Sequence, residues 1–115
     1  MKTIRNVLLA AVLMPGLALA HAKLELTIPA ADSSIAAMPA QVMLHFSEAV
    51  KITAMTIEKE GGTDKVELKA PAAASSMVQA QAPKLAAGKY LLNWRGLSDD
   101  GHVMSGTVHF TVTGK

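Results

Sequence analysis

The run Lys89-Tyr90-Leu91-Leu92-Asn93-Trp94-Arg95-Gly96-Leu97 decides the fold. In an extended chain Tyr90, Leu92 and Trp94 share one face, while Leu91, Asn93 and Arg95 share the other. A period of two marks a strand, since a helix would space its apolar residues three and four apart. The same alternation recurs on either side of this run. Gln41–Ser47 sets Val42, Leu44 and Phe46 against Gln41, Met43 and His45, and Ser105–Thr113 turns Val108, Phe110 and Val112 inward.

Turn signals separate the remaining runs at short intervals. Ala22–Ile28 reads as a first strand ended by Pro29, and Ala30–Pro39 as a loop of small residues. Ile52–Glu58 leads into the turn Glu60-Gly61-Gly62-Thr63-Asp64. Lys65–Lys69 and Ser76–Ala82 are shorter strands, Pro83–Gly88 is a turn, and Ser98–Met104 is a polar loop. About seven strands and no helix predict an all-β chain, a seven-stranded immunoglobulin-like Greek-key sandwich or barrel. Gly88-Lys89-Tyr90 ahead of the long strand resembles a tyrosine corner.

The first 20 of the 115 residues follow another pattern. Lys2 and Arg5 precede the apolar run Val7–Met14, and the stretch closes on Ala18-Leu19-Ala20. A basic start, a short apolar run and a small-x-small ending describe a secretory signal peptide. Pro15-Gly16 interrupts the run well before the roughly 20 apolar residues that a spanning helix needs. The expected organisation is therefore a cleaved signal over residues 1–20 and one β domain over residues 21–115, exported to the periplasm. Of 11 basic and 9 acidic residues only Lys2 and Arg5 leave with the signal, so the remainder balances at nine of each. No basic run survives to follow a phosphate backbone, which argues against nucleic-acid binding. The absence of cysteine removes disulfide staples, thiolate metal sites and thiol catalysis.

Cleavage after Ala20 would make His21 the first residue. Its α-amine and ring Nδ1 could then close a six-membered chelate on a metal, and nitrogen donors of this kind suit Cu(II). The alternative is a solvated terminal residue. Asp100 and His102 flank Gly101, so both side chains fall on one side of an extended segment, and the glycine lets the backbone turn. Asp-Asp-Gly is also common turn chemistry. Glu48 ends the alternating strand where a loop begins; it is either a further ligand or orienting group, or a solvated carboxylate. His45 faces away from the core, which fits a surface role or a place behind the ligands better than direct ligation, and His109 lies on the polar side of the last strand and reads as a surface group. Met38, Met43, Met55, Met77 and Met104 are scattered singly, which fits core filling better than a soft-metal cluster, although Met104 follows His102 closely. No Ser/His/Asp set, phosphate loop or His-Glu-x-x-His motif is present, so no catalytic residues are expected.

Taken in order, these residues resemble the CopC-type periplasmic copper-binding proteins of copper resistance and homeostasis. The resemblance spans His21–Lys115. It rests on His21-Ala22-Lys23-Leu24, Pro29-Ala30, Leu44-His45-Phe46-Ser47-Glu48, Ala87-Gly88-Lys89-Tyr90, Asn93-Trp94-Arg95, Leu97-Ser98-Asp99-Asp100-Gly101-His102 and Gly106. It implies a small Greek-key β-barrel with one Cu(II) per chain, held by the amine and Nδ1 of His21, the Asp100 carboxylate and the His102 imidazole. Glu48 matches the family's acidic position near the ion. Some members add a Cu(I) site in a methionine- and histidine-rich loop. Ile52–Val78 holds only Met55 and Met77 and no histidine, so the Cu(II)-only subclass is expected. An inner-membrane importer of the CopD type is the partner the resemblance implies, and a monomer is expected. The proposed site joins His21 to Asp100 across 79 positions, so the first strand must lie beside the loop after Trp94.

Two other readings compete. A terminal-histidine copper brace also serves copper monooxygenases acting on polysaccharides, but those need an open coordination position and a broad binding face. Here Asp100 would occupy the fourth position. A metal-free immunoglobulin-like adhesion or subunit module is the second alternative.

Overall fold

A computed structural model describes residues 22–115, so the signal reading of residues 1–20 and the position of His21 lie outside the described residues. Among the described residues seven strands and no helix follow in order: β1 (Leu24–Ile28), β2 (Ser33–Ile35), β3 (Gln41–Lys59), β4 (Lys65–Glu67), β5 (Ser75–Gln81), β6 (Gly88–Ser98) and β7 (Val103–Val112). They form one curled sheet in the order β1-β3-β6-β7-β2, with β4 and β5 also paired to β3. The β2–β7 pair is parallel and the others are antiparallel.

The all-β, seven-stranded expectation holds, but two strands are drawn differently. Gln41–Ser47 and Ile52–Glu58 are halves of one strand, the 19-residue β3. Glu48 interrupts the apolar alternation without breaking the extended backbone, because β3 changes neighbours beside it. Its first half lies between β1 and β5, whereas from Val50 onward it pairs with β6. A second irregularity, between Ile52 and Ala54, shifts the inward side by one residue: Val50 and Ile52 are buried, then Met55 and Ile57. That is what a bulge does to a pleated strand. The other difference is β2, which lies inside the segment read as a loop. Three residues are too few to display a period, and a distant partner supplies their pairing: Thr113 N–H donates to Ile35 O at 2.8 Å.

The inward faces are those the alternation predicts. Val42, Leu44, Phe46, Tyr90, Leu92, Trp94, Val108, Phe110 and Val112 are all buried. Each large apolar side chain so enclosed contributes about 1.5–3 kcal/mol relative to exposure. Phe46 meets Trp94 edge-on, with centroids 5.1 Å apart and planes at 73°, which ties the first half of β3 to β6. Tyr90 stacks on Phe110 at 5.8 Å, and its hydroxyl donates to Ala86 O at 2.7 Å, so the tyrosine corner is present. Met55 is buried, and Met38 and Met104 pack against the core, whereas Met77 is 47% exposed and fills nothing.

Gly106 is the register partner of Trp94. A Cβ there would stand 2.7 Å from Trp94 Nε1 and 3.0 Å from two ring carbons, so the indole occupies the space a side chain would need. We expect Gly106→Ala to destabilise the fold by about 1–3 kcal/mol through overpacking. Urea denaturation should show this, while the neighbouring exposed Ser105→Ala stays within about 0.5 kcal/mol of the parent.

Candidate metal centre

The site begins with the β6–β7 hairpin. Ser98 O accepts Gly101 N–H at 2.9 Å, and Ser98 N–H donates to His102 O at 3.0 Å, which closes a loop over Asp99, Asp100 and Gly101. Gly101 has φ +85°, a left-handed conformation that glycine adopts without steric cost and that this kind of three-residue hairpin loop requires. The backbone is the tight turn that Asp-Asp-Gly suggests, and it brings the two side chains together. His102 Nδ1 stands 2.9 Å from Asp100 Oδ2.

Ser98 completes the arrangement. Along β6 the even-numbered residues Tyr90, Leu92, Trp94 and Ser98 face inward and are buried. The Ser98 hydroxyl donates to Asp100 Oδ1 in a short contact, while His102 N–H faces Ser98 Oγ at 3.3 Å and Asp100 Oδ1 at 3.4 Å. These donors lower the Asp100 carboxyl from its ordinary value to about 2. The Ser98 hydrogen bond is the largest cause; partial loss of solvent opposes it, and the His102 ring and backbone N–H add to it. Asp100 is therefore an anion throughout the neutral and mildly acidic range.

The second half is the start of the described chain. Lys23 N–H donates to Ser47 Oγ at 2.8 Å, and Ser47 N–H returns the bond to Lys23 O at 2.8 Å. Ala22 is buried, so the chain leading back to His21 is fixed against β3 up to its last described residue. Three residues beyond Ser47, Val50 pairs with Ser98. At about 3.3 Å per extended residue, the two attachments lie roughly 10 Å apart along β3. The first strand and the Asp100–His102 hairpin therefore attach to one stretch of β3.

Glu48 departs from its expected setting. It is exposed and lies within β3, at the irregular segment between His45 and Val50, rather than at a strand end. Among the described residues no group of three or more histidine, aspartate or glutamate side chains could hold a metal, so Glu48 does not join Asp100 and His102. His45 is half-buried on the outer face opposite Met77, and His109 is exposed on β7. Ser47 and Ser98 are the residues sequence reasoning passed over. Ser98 had a legible signal, a hydroxyl at an inward position of the strand that decides the fold.

The lowered Asp100 pKa fixes the sign of an acid effect. The contribution is fully present above the ordinary carboxylate range and is lost as pH falls toward about 2. We expect wild type to exceed Asp100→Asn in stability at about pH 5 and the gap to close as acid is added, as measured by thermal unfolding across that range.

Comparison with known proteins places the chain. The CopC domain model matches residues 24–113. Copper resistance protein C of Pseudomonas syringae pv. tomato is 36% identical over 113 residues, covering 90% of this chain and 89% of its own. The crystal structure of CopC from Methylosinus trichosporium OB3b superposes with a TM-score of 0.69 at 32% identity, covering 81% of this chain and 94% of that one. That of PcoC, a methionine-rich copper resistance protein from Escherichia coli, gives a TM-score of 0.57 at 33% identity, covering 82% and 100%. With its match running from β1 to the end of β7 and its fold superposing on these structures, the chain belongs to the CopC family.

Proposed function

We propose that this chain is exported to the periplasm, cut after Ala20, and then binds one Cu(II) for copper resistance or homeostasis. The ligands in this reading are the α-amine and Nδ1 of His21, the Asp100 carboxylate and the His102 imidazole. One observation supports it above the others: the Lys23–Ser47 bond pair and the Val50–Ser98 pairing bring the chain's start toward the Asp100–His102 hairpin. Names of relatives that refer to copper resistance point the same way.

The donor chemistry fits the cargo. Three nitrogens and one anionic oxygen favour Cu(II) and offer nothing soft to Cu(I). In the metal-free protein His102 Nδ1 meets Asp100 Oδ2, a contact that an ion shared by the two side chains would replace. A carboxylate accepts several partners across its two oxygens, so Asp100 can bind the ion while retaining the Ser98 hydroxyl. Glu48 contributes negative charge close to Ser47 and orients or attracts rather than completing the plane. The protein is a binding protein and not an enzyme in this reading; sustained reductant-driven peroxide formation or substrate oxidation would replace it with the copper monooxygenase reading. Delivery to a CopD-type membrane importer is the onward step that family resemblance suggests.

The test is Cu(II) titration of protein that begins at His21. An extra residue before His21 buries its amine in a peptide bond, and we expect binding to weaken severely; equal binding by the extended form would move the site elsewhere. We also expect His102→Ala to weaken Cu(II) binding by more than the roughly 10–100-fold typical of losing an outer partner. His109→Ala should leave the affinity unchanged, and equal effects of the two would remove the hairpin from the site.

A further inference from the structure

Asp100 and His102 are exposed side chains, at 45% and 63%, yet they stand in contact 2.9 Å apart. Exposed side chains ordinarily sample several rotamers, so something must hold this pair. The buried residue beneath it is Ser98.

A hydroxyl carries one proton. Ser98 Oγ has two acceptors within reach, Asp100 Oδ1 in the short contact and His102 O at 3.4 Å. The contact with the anion is the shorter and is charge-assisted, so the proton goes to Asp100. The oxygen's lone pairs are then available to His102 N–H at 3.3 Å. Ser98 therefore donates to one member of the pair and accepts from the backbone of the other. Anchoring Oδ1 inward leaves Oδ2 turned outward, where His102 Nδ1 meets it.

We propose that Ser98 is a positioning residue of the metal centre, whose hydroxyl fixes Asp100 and the backbone of His102 so that both side chains stand together before copper arrives. The proposal rests on the copper reading above for its consequence, but its physical content belongs to the metal-free protein. A preordered pair gives up less side-chain freedom when the ion binds, which raises affinity without a new contact.

Ser98→Thr and Ser98→Val test it, because the two replacements match in size and β-branching and differ by hydroxyl against methyl. In copper-free protein, side-chain coupling constants should report one Asp100 rotamer in wild type and Ser98→Thr and several in Ser98→Val. Competition titration should show Ser98→Val binding Cu(II) about 10–100-fold more weakly, with Ser98→Thr close to wild type. Ser98→Ala removes the hydroxyl without adding volume and carries the same expectation where valine does not fold. A single Asp100 rotamer in the hydroxyl-free variants overturns the proposal, whatever copper does. So does undiminished affinity in a variant whose Asp100 has become mobile. If His102→Ala leaves copper affinity unchanged, the copper reading falls, and the rotamer measurement still decides whether Ser98 orders the pair.

Discussion

A strand as long as β3 cannot stay in one flat sheet of a small domain, and this constraint shapes the molecule. Its 19 residues would extend about 60 Å if straight, several times the radius of gyration of about 13 Å expected for a compact chain near this size. Exchanging β1 and β5 for β6 midway lets the two halves of β3 serve two walls of one core. Phe46 against Trp94 is the contact that closes those walls. The segment of exchange, residues 46–50, is also where the chain's beginning and the β6–β7 hairpin attach. Candidate site and fold share one cause.

Much of this was legible because burial imposes a period of two. The inward residues of β6 and β7 and of the first half of β3 could be read directly, and the tyrosine corner needed only Gly88-Lys89-Tyr90 ahead of a long strand. What could not be read was whatever breaks the period. Glu48 and Lys51 look like the edges of two strands, and only pairing with β6 shows them to be interior to one. The shift between Ile52 and Ala54 moves the buried side by a residue, which local sequence cannot distinguish from irregularity. Ser33–Ile35 is a strand because Phe110–Val112 lies beside it, and nothing within the segment announces that.

The site divides similarly. Asp100-Gly101-His102 was readable because glycine between two ligand-type residues constrains the backbone in one recognisable way. Ser98 was overlooked because serine carries little chemistry of its own; its importance comes from being polar at an inward position. Ser47 was invisible for a related reason. Its role is to receive Lys23, and a contact across 24 positions has no local signature. Glu48 stands out in the sequence because it closes an alternating run and matches the family's acidic position, yet the neighbour that makes the structural connection is the serine beside it.

The bond pair between Lys23 and Ser47 also bears on how the domain is held closed. A chain without cysteine has no covalent tie between its first strand and its later hairpin, and β1 is held to β3 only by hydrogen bonds and packing. An ion shared by His21 and Asp100 would bridge 79 positions of chain, a loop whose closure in the unfolded state is entropically expensive. Copper would then act as a removable staple, in the place where many exported domains use a disulfide. Bound to the folded form, it would contribute more as occupancy rises, reaching about 2.7 kcal/mol at a hundred times the dissociation constant. The loaded carrier would be the sturdier one, and surrendering the ion would loosen the end of the molecule that gave it up.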